Sequence, residues 1–145
     1  MRTKADIAAG VFLSGFNCAQ SVLSVFCEAY GLDAITARKL AAGLGAGARK
    51  GELCGAVSGA VIVIGLKCGQ SEAADKAAKA DCNARTAAFM ELFQSKNKSF
   101  VCKEILGLDL SIPAEYARAQ TTTLFQTTCV DMVKSAVTLL EELGY

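Results

Sequence analysis

Apolar residues recur at helical spacing almost from end to end, and no segment alternates apolar and polar residues with the period of two that a half-buried strand requires. A first helix is predicted over residues 4–14. Asn17 then reads as an N-cap with Gln20 three residues on, and Val22, Val25, Phe26 and Ala29 continue one face until Gly31 ends the element. Asp33 caps a third helix through Ala42, which stops at the glycine-rich run Gly43-Leu-Gly45-Ala-Gly47. A very apolar fourth helix is expected over 52–66, and a long fifth from Ser71 and Glu72 to about Gln94. Ser99 can cap a short sixth helix ending at Gly107, and Ser111 with Pro113 in the first turn opens a seventh. Thr128 with Asp131 reads as a capping box for a last helix through Val133, Val137 and Leu140. No internal repeat or linker interrupts the pattern, so residues 1–145 read as one all-α, single-domain bundle of six to eight packed helices.

Composition agrees with close-packed helices: 52% hydrophobic residues rich in Ala, a single Pro and no Trp. A net charge of +1, with Arg38-Lys39 and Arg49-Lys50 the only basic pairs of note, offers no nucleic-acid footprint. The apolar stretch 7–27 is broken by Ser14, Asn17, Gln20, Ser21 and Ser24, which argues against a membrane span or a secretory leader. A cytoplasmic setting is therefore expected. The share of apolar residues is more than a small helical core readily hides, and a helix-mediated homodimer is the expected outlet.

The chain contains no His, which removes Ser-His-Asp and Cys-His catalysis, most zinc enzymes and His-ligated haem. It contains seven Cys, so thiol or soft-metal chemistry rests on sulfur alone. An odd number of thiols argues mildly for a reducing compartment. No Cys-x-x-Cys occurs, so any shared site must be assembled by the fold.

Other motifs have plainer readings. The glycine run at 43–47 follows a helix rather than a strand, so a Rossmann phosphate turn is disfavoured against a loop needing positive φ or close backbone approach. Gly55 and Gly59, with Ala56 and Ala60, form a small-residue face for tight helix packing. Ala73, Ala77, Ala84, Ala88 and Phe89 suggest a stripe for the core or a subunit interface.

Position separates the cysteines. Cys18, Cys54, Cys102 and Cys129 all fall in predicted first helical turns, where free N–H groups and the positive end of the dipole favour a thiolate. Arg49 and Lys50 near Cys54, and Lys103 beside Cys102, push the same way. On this reading Cys54 is among the most reactive thiols of the metal-free chain and Cys82, inside a long helix, among the least. Cys27, Cys68 and Cys82 are expected to pack as small hydrophobes.

These segments resemble a bacterial family of redox-active proteins named C_GCAxxG_C_C for four cysteines and a Cys-Gly-Ala-x-x-Gly motif. Here the motif reads Cys54-Gly55-Ala56-Val57-Ser58-Gly59, with Asn17-Cys18-Ala-Gln-Ser-Val-Leu23 before it. Ile64-Gly65-Leu66 and Gly69, Cys102 before Ile-Leu-Gly107, and Cys129 at the last helix follow it. The resemblance implies a redox role with an iron–sulfur cluster, selects the same four cysteines, and gives no role to Cys27, Cys68 or Cys82. It leaves open whether the chain is an enzyme or an electron-transfer component.

The leading expectation is that Cys18, Cys54, Cys102 and Cys129 ligate an iron–sulfur cluster of the two-iron (2Fe-2S) type, used for electron transfer with a redox partner protein. The runner-up is a metal-free thiol–disulfide protein in which two of the four cycle. A structural tetrathiolate zinc site is a third alternative, and a helical scaffold with inert cysteines is the plain one.

Overall fold

The chain is described by a computed structural model over residues 2–145. Among these residues there are eight α-helices and no strand. They are α1 (Lys4–Leu13), α2 (Cys18–Ser24), α3 (Ala34–Ala41), α4 (Gly55–Cys68), α5 (Lys76–Lys96), α6 (Cys102–Leu106), α7 (Pro113–Gln120) and α8 (Thr128–Glu142). The centre is a crossing of α2 on α4, with α1 laid along α8, α3 against α2, and α5 against α4 and α8. Phe26, Phe89, Phe93, Leu23, Ile64 and Leu140 are fully enclosed. Removing such side chains from water contributes roughly 1.5–3 kcal/mol each. A smaller apolar cluster of Leu106, Leu108, Leu110 and Ala119 forms beside the main core under α6 and α7, and Cys102 and Cys129 belong to it.

Several caps stand where the pattern puts them. Asn17 and Gln20 form a reciprocal capping box, with Gln20 N–H donating to Asn17 Oδ1 at 2.8 Å and Asn17 N–H to Gln20 Oε1 at 2.9 Å. Asp33 caps α3 through the Thr36 amide, and Gly31 closes the preceding turn at φ 81°. Pro113 occupies the first turn of α7.

Other boundaries differ, each for a local reason. The second helix breaks after Ser24 because the hydroxyls of Ser21 and Ser24 bond back to the carbonyls of Asn17 and Gln20, competing with the helical ladder. A short 3₁₀ turn, Cys27–Tyr30, carries the chain on to Gly31. The fourth helix begins at Gly55 rather than near residue 52, because Leu53 is extended and paired antiparallel with Val101. That same pairing moves the start of α6 to Cys102, and Ser99 turns its hydroxyl to Glu104 and to the Val101 amide instead of capping. Asp75, not Ser71, caps α5 through the Ala78 amide. Thr128 is the first residue of α8, not its cap, and no side chain caps that end. The alanine stripe of α5 is not core: Ala77, Ala84 and Ala88 are exposed, and the helix buries only Phe89 and Phe93 fully.

Candidate functional site

Four helix starts meet at one cavity. Cys18 is the first residue of α2, Cys54 the residue before α4, Cys102 the first residue of α6, and Cys129 the second residue of α8. The placement near N-termini thus holds, with Cys18 directly after the Asn17 cap as expected and Cys54, Cys102 and Cys129 shifted slightly from their expected turn positions. All four line a single cavity of about 400 Å³, whose walls include Phe12, Phe16, Ile105, Leu106, Tyr116 and Phe125. Cys54, Cys102 and Cys129 keep only 5%, 8% and 7% of their surface, and Cys18 is half-buried.

Two local constructions bring the sulfurs together. The Leu53–Val101 pairing is fixed by Cys54 N–H donating to Phe100 O at 2.8 Å and Cys102 N–H to Glu52 O at 2.6 Å, so Cys54 and Cys102 enter the cavity from adjoining segments. On the other side, α2 can lie close to α4 because the motif glycines carry no side chain. A Cβ on Gly59 would stand 2.7 Å from the Ala19 carbonyl oxygen, and one on Gly55 3.1 Å from Cys18 Cβ. The small-residue face of the motif is therefore a packing device whose consequence is the approach of Cys18 to Cys54.

A left-handed turn closes the rim. Ala46, Gly47, Ala48 and Arg49 follow one another at φ 53°, 61°, 54° and 65°. Each non-glycine residue held there costs roughly 1–2 kcal/mol. Gly47 has no alternative, since a Cβ would meet the Glu52 amide nitrogen at 2.3 Å. The glycine-rich run is thus a positive-φ, close-approach loop, as its context after a helix indicates. It places Arg49 at the rim, the single charged side chain lining the cavity. Asn17 ties the end of α3, from which this loop leaves, to α2: beyond its cap, its Nδ2 donates to Ala41 O and Ala42 O at 3.2 and 3.0 Å.

The electrostatics correct one expectation. Helix-end placement by itself predicts acidic thiols, with Cys54 among the most reactive. Burial wins instead and pushes the Cys54 thiol up to about 11, against a smaller opposing effect from the amides of Ala56 and Val57. Cys102 is pushed up to about 12, first by burial and then by the neighbouring Cys54 and Cys129, with Arg49 pulling weakly the other way. Cys18 also holds its proton well above the ordinary thiol range, first because its thiol donates to Cys129 and then through burial. Cys129 is the exception: accepting from Cys18 draws its ionisation below the ordinary thiol value. Cys82 is half-buried rather than sequestered, whereas Cys27 is fully enclosed and bonded to Ser24 O at 3.6 Å. Burial thus weighs against Cys54 as one of the most reactive thiols, and the half-exposure of Cys82 weighs against its being one of the least. Cys27 does pack as a small hydrophobe, while Cys68 is half-buried at the far end of α4.

Three thiols that resist ionisation, gathered around a fourth that yields its proton more readily, describe a site whose negative charge needs a positive partner. A bound cation or metal cluster supplies one and deprotonates its ligands outright. The donor set, all sulfur with apolar walls, fits an iron–sulfur group. Among the described residues no three His, Cys, Asp or Glu side chains are gathered closely enough to hold one metal ion. Sequence reasoning did not identify Tyr116 as a wall of the cavity, and no local signal on α7 marks it. Among the described residues no helix is long and apolar enough to cross a membrane.

The family model described as "Putative redox-active protein (C_GCAxxG_C_C)" matches residues 16–143. No curated protein and no solved structure matches the chain.

Proposed function

Because the chain belongs to the C_GCAxxG_C_C family, whose members are described as redox-active, we propose that Cys18, Cys54, Cys102 and Cys129 hold an iron–sulfur cluster of the two-iron type and that the protein serves electron transfer to a partner protein. The carrying observation is the convergence of these four thiols from four helix starts on one largely apolar cavity. Such a cluster accepts and gives up single electrons at a potential tuned by burial and hydrogen bonding. The chain's own residues supply the rest. Cys18 with Cys129, in direct contact, and Cys54 with Cys102, joined by the 53–101 pairing, offer the thiolates in two pairs, which suits two irons taking two sulfurs each. The aromatic walls limit water at the sulfurs, and the helix starts present their positive ends to a site that gains negative charge on reduction. A cytoplasmic, thiol-reducing setting accords with seven free cysteines, and a homodimer accords with exposed Ile35 and Leu40 on α3.

Anaerobic purification or reconstitution should give about two irons and two sulfides per chain, with a visible spectrum bleached by reductant. Cys54→Ser or Cys129→Ser should lose most of that iron. Reconstituted protein with neither iron nor sulfide bound rejects the proposal.

One observation favours a second reading. The Cys18 thiol donates to Cys129, whose ionisation is lowered, which is the arrangement of an attacking thiolate beside its resolving partner. Mild oxidation of iron-free protein followed by non-reducing peptide mapping should then yield a Cys18–Cys129 disulfide before any other pair.

A further inference from the structure

The cavity has more wall than four sulfurs need, and the surplus has a distinct character. Beyond the cysteines it is lined by aromatic rings, Phe12, Phe16, Tyr116 and Phe125, and by a single charged side chain, Arg49. Among the described residues no carboxylate lines it. Arg49 is exposed at the rim, takes part in none of the ion pairs among the described residues, and sits 5.7 Å from the centre of the Tyr116 ring. Its backbone is held at φ 65° in a run of four left-handed residues, a conformation that the local sequence does not favour for Ala46, Ala48 or Arg49. The chain thus maintains a strained turn whose result is one unpaired guanidinium over an apolar, ring-lined opening. A volume of about 400 Å³ lies in the range of small-molecule sites.

We infer that the cavity is also a binding site for a small organic anion with a flat apolar body, its carboxylate or similar group held by Arg49 and its body against the wall formed by the tilted Tyr116–Phe125 pair, with the buried sulfurs beyond it. A guanidinium pairs with a planar oxyanion through two parallel hydrogen bonds, which a cation or neutral group cannot exploit. Aromatic walls favour a planar body through stacking and edge contacts. The starts of α4 and α8 at the same cavity add positive potential of the same sign. The inference rests on the proposed redox reading only in making the anion a partner of that centre; the binding itself needs only the walls and Arg49.

The test is calorimetric titration of the full-length chain, purified anaerobically, with benzoate, benzylamine, benzyl alcohol and acetate. Benzoate should bind, and benzylamine, benzyl alcohol and acetate should each bind at least about tenfold more weakly. Arg49→Gln should weaken benzoate about tenfold or more, and Arg49→Lys should restore part of the loss. Equal binding of benzoate and benzylamine overturns the inference, as does benzoate binding indifferent to Arg49→Gln or an absence of benzoate binding. The benzoate–benzylamine comparison needs no variant, so a misfolded variant does not protect the idea. Iron and sulfide content after reconstitution of the same preparations reports separately on the cluster: benzoate selectivity in protein that binds neither on reconstitution keeps this inference while the cluster proposal fails, and iron-loaded protein without that selectivity does the reverse.

Discussion

The seven thiols of this chain share one chemistry and differ only in surroundings, and those surroundings rank them. Burial raises Cys54 to about 11 and Cys102 to about 12, while contact with Cys18 lowers Cys129. In iron-free, reduced protein, alkylation near neutral pH is therefore expected to reach Cys129 before Cys54, and Cys27, fully enclosed, last of all. Mass-spectrometric mapping against time checks the order; Cys54 labelled ahead of Cys129 would show that the helix end outweighs burial after all. The same shifts make stability depend on pH. Up to about pH 9, the ordinary thiol value, Cys54 and Cys102 keep their protons whether the chain is folded or not. Above it the unfolded chain releases them while the native cavity retains them, so the stability they protect falls as pH rises toward 11 and 12. The slope is about 1.4 kcal/mol per pH unit for each thiol. Denaturant midpoints of iron-free protein at pH 8 and pH 10 should show this fall, and Cys54→Ala should make it shallower. Most of this ranking was not legible in the sequence, because placement at a helix start is local information and desolvation is not.

At the scale of elements, what could be read and what could not divide along the same line. Asn17, Asp33, Gly31 and Pro113 act through neighbours three or four residues away, and their signals fixed α2, α3 and α7. The starts of α4 and α6 depend on Leu53 meeting Val101, a contact across 48 positions that no periodicity reveals. The motif glycines lie between these cases: their spacing announces a small face, and only the fold shows that the face receives α2. Gly59→Ala should accordingly cost about 1–3 kcal/mol, since its Cβ would stand 2.7 Å from the Ala19 carbonyl oxygen, backbone that cannot easily give way. Gly65→Ala in the same helix, where a Cβ meets nothing within 4 Å, should instead stabilise by about 0.5–1 kcal/mol through helix propensity. Chemical denaturation of the two variants side by side separates packing from propensity, and equal signs would remove the close α2–α4 approach as the purpose of Gly59. Asn17→Ala should lose about 1–2 kcal/mol or more, because it removes the cap of α2 and the bonds to Ala41 and Ala42 together.

For the molecule as a whole, the cavity matters because of what it joins. The main core is built by α1 to α5 and α8 and includes Cys54, with Cys18 packed at its edge. The smaller cluster under α6 and α7 contains Cys102 and Cys129. It has few large side chains, and α6 has only five residues, too short to persist without tertiary support. In the metal-free protein this region is held to the core by the 53–101 pairing, the continuity of α8 and the walls of an open cavity. Local opening with low free energy is thus expected for α6, α7 and the segment 121–126, while α2 and α4 exchange only at the cost of global unfolding. Any ligand that takes thiolates from both groups of cysteines closes that gap and stabilises the native state in proportion to its affinity. Hydrogen exchange on iron-free and reconstituted protein tests both halves of this expectation. Iron-free protein should show fast exchange in residues 102–126 and slow exchange in α4, and loading should slow the first set strongly and the second little. Uniform protection before loading would mean that the smaller cluster stands on its own, and loading without any slowing at 102–126 would place the metal somewhere other than between the two clusters.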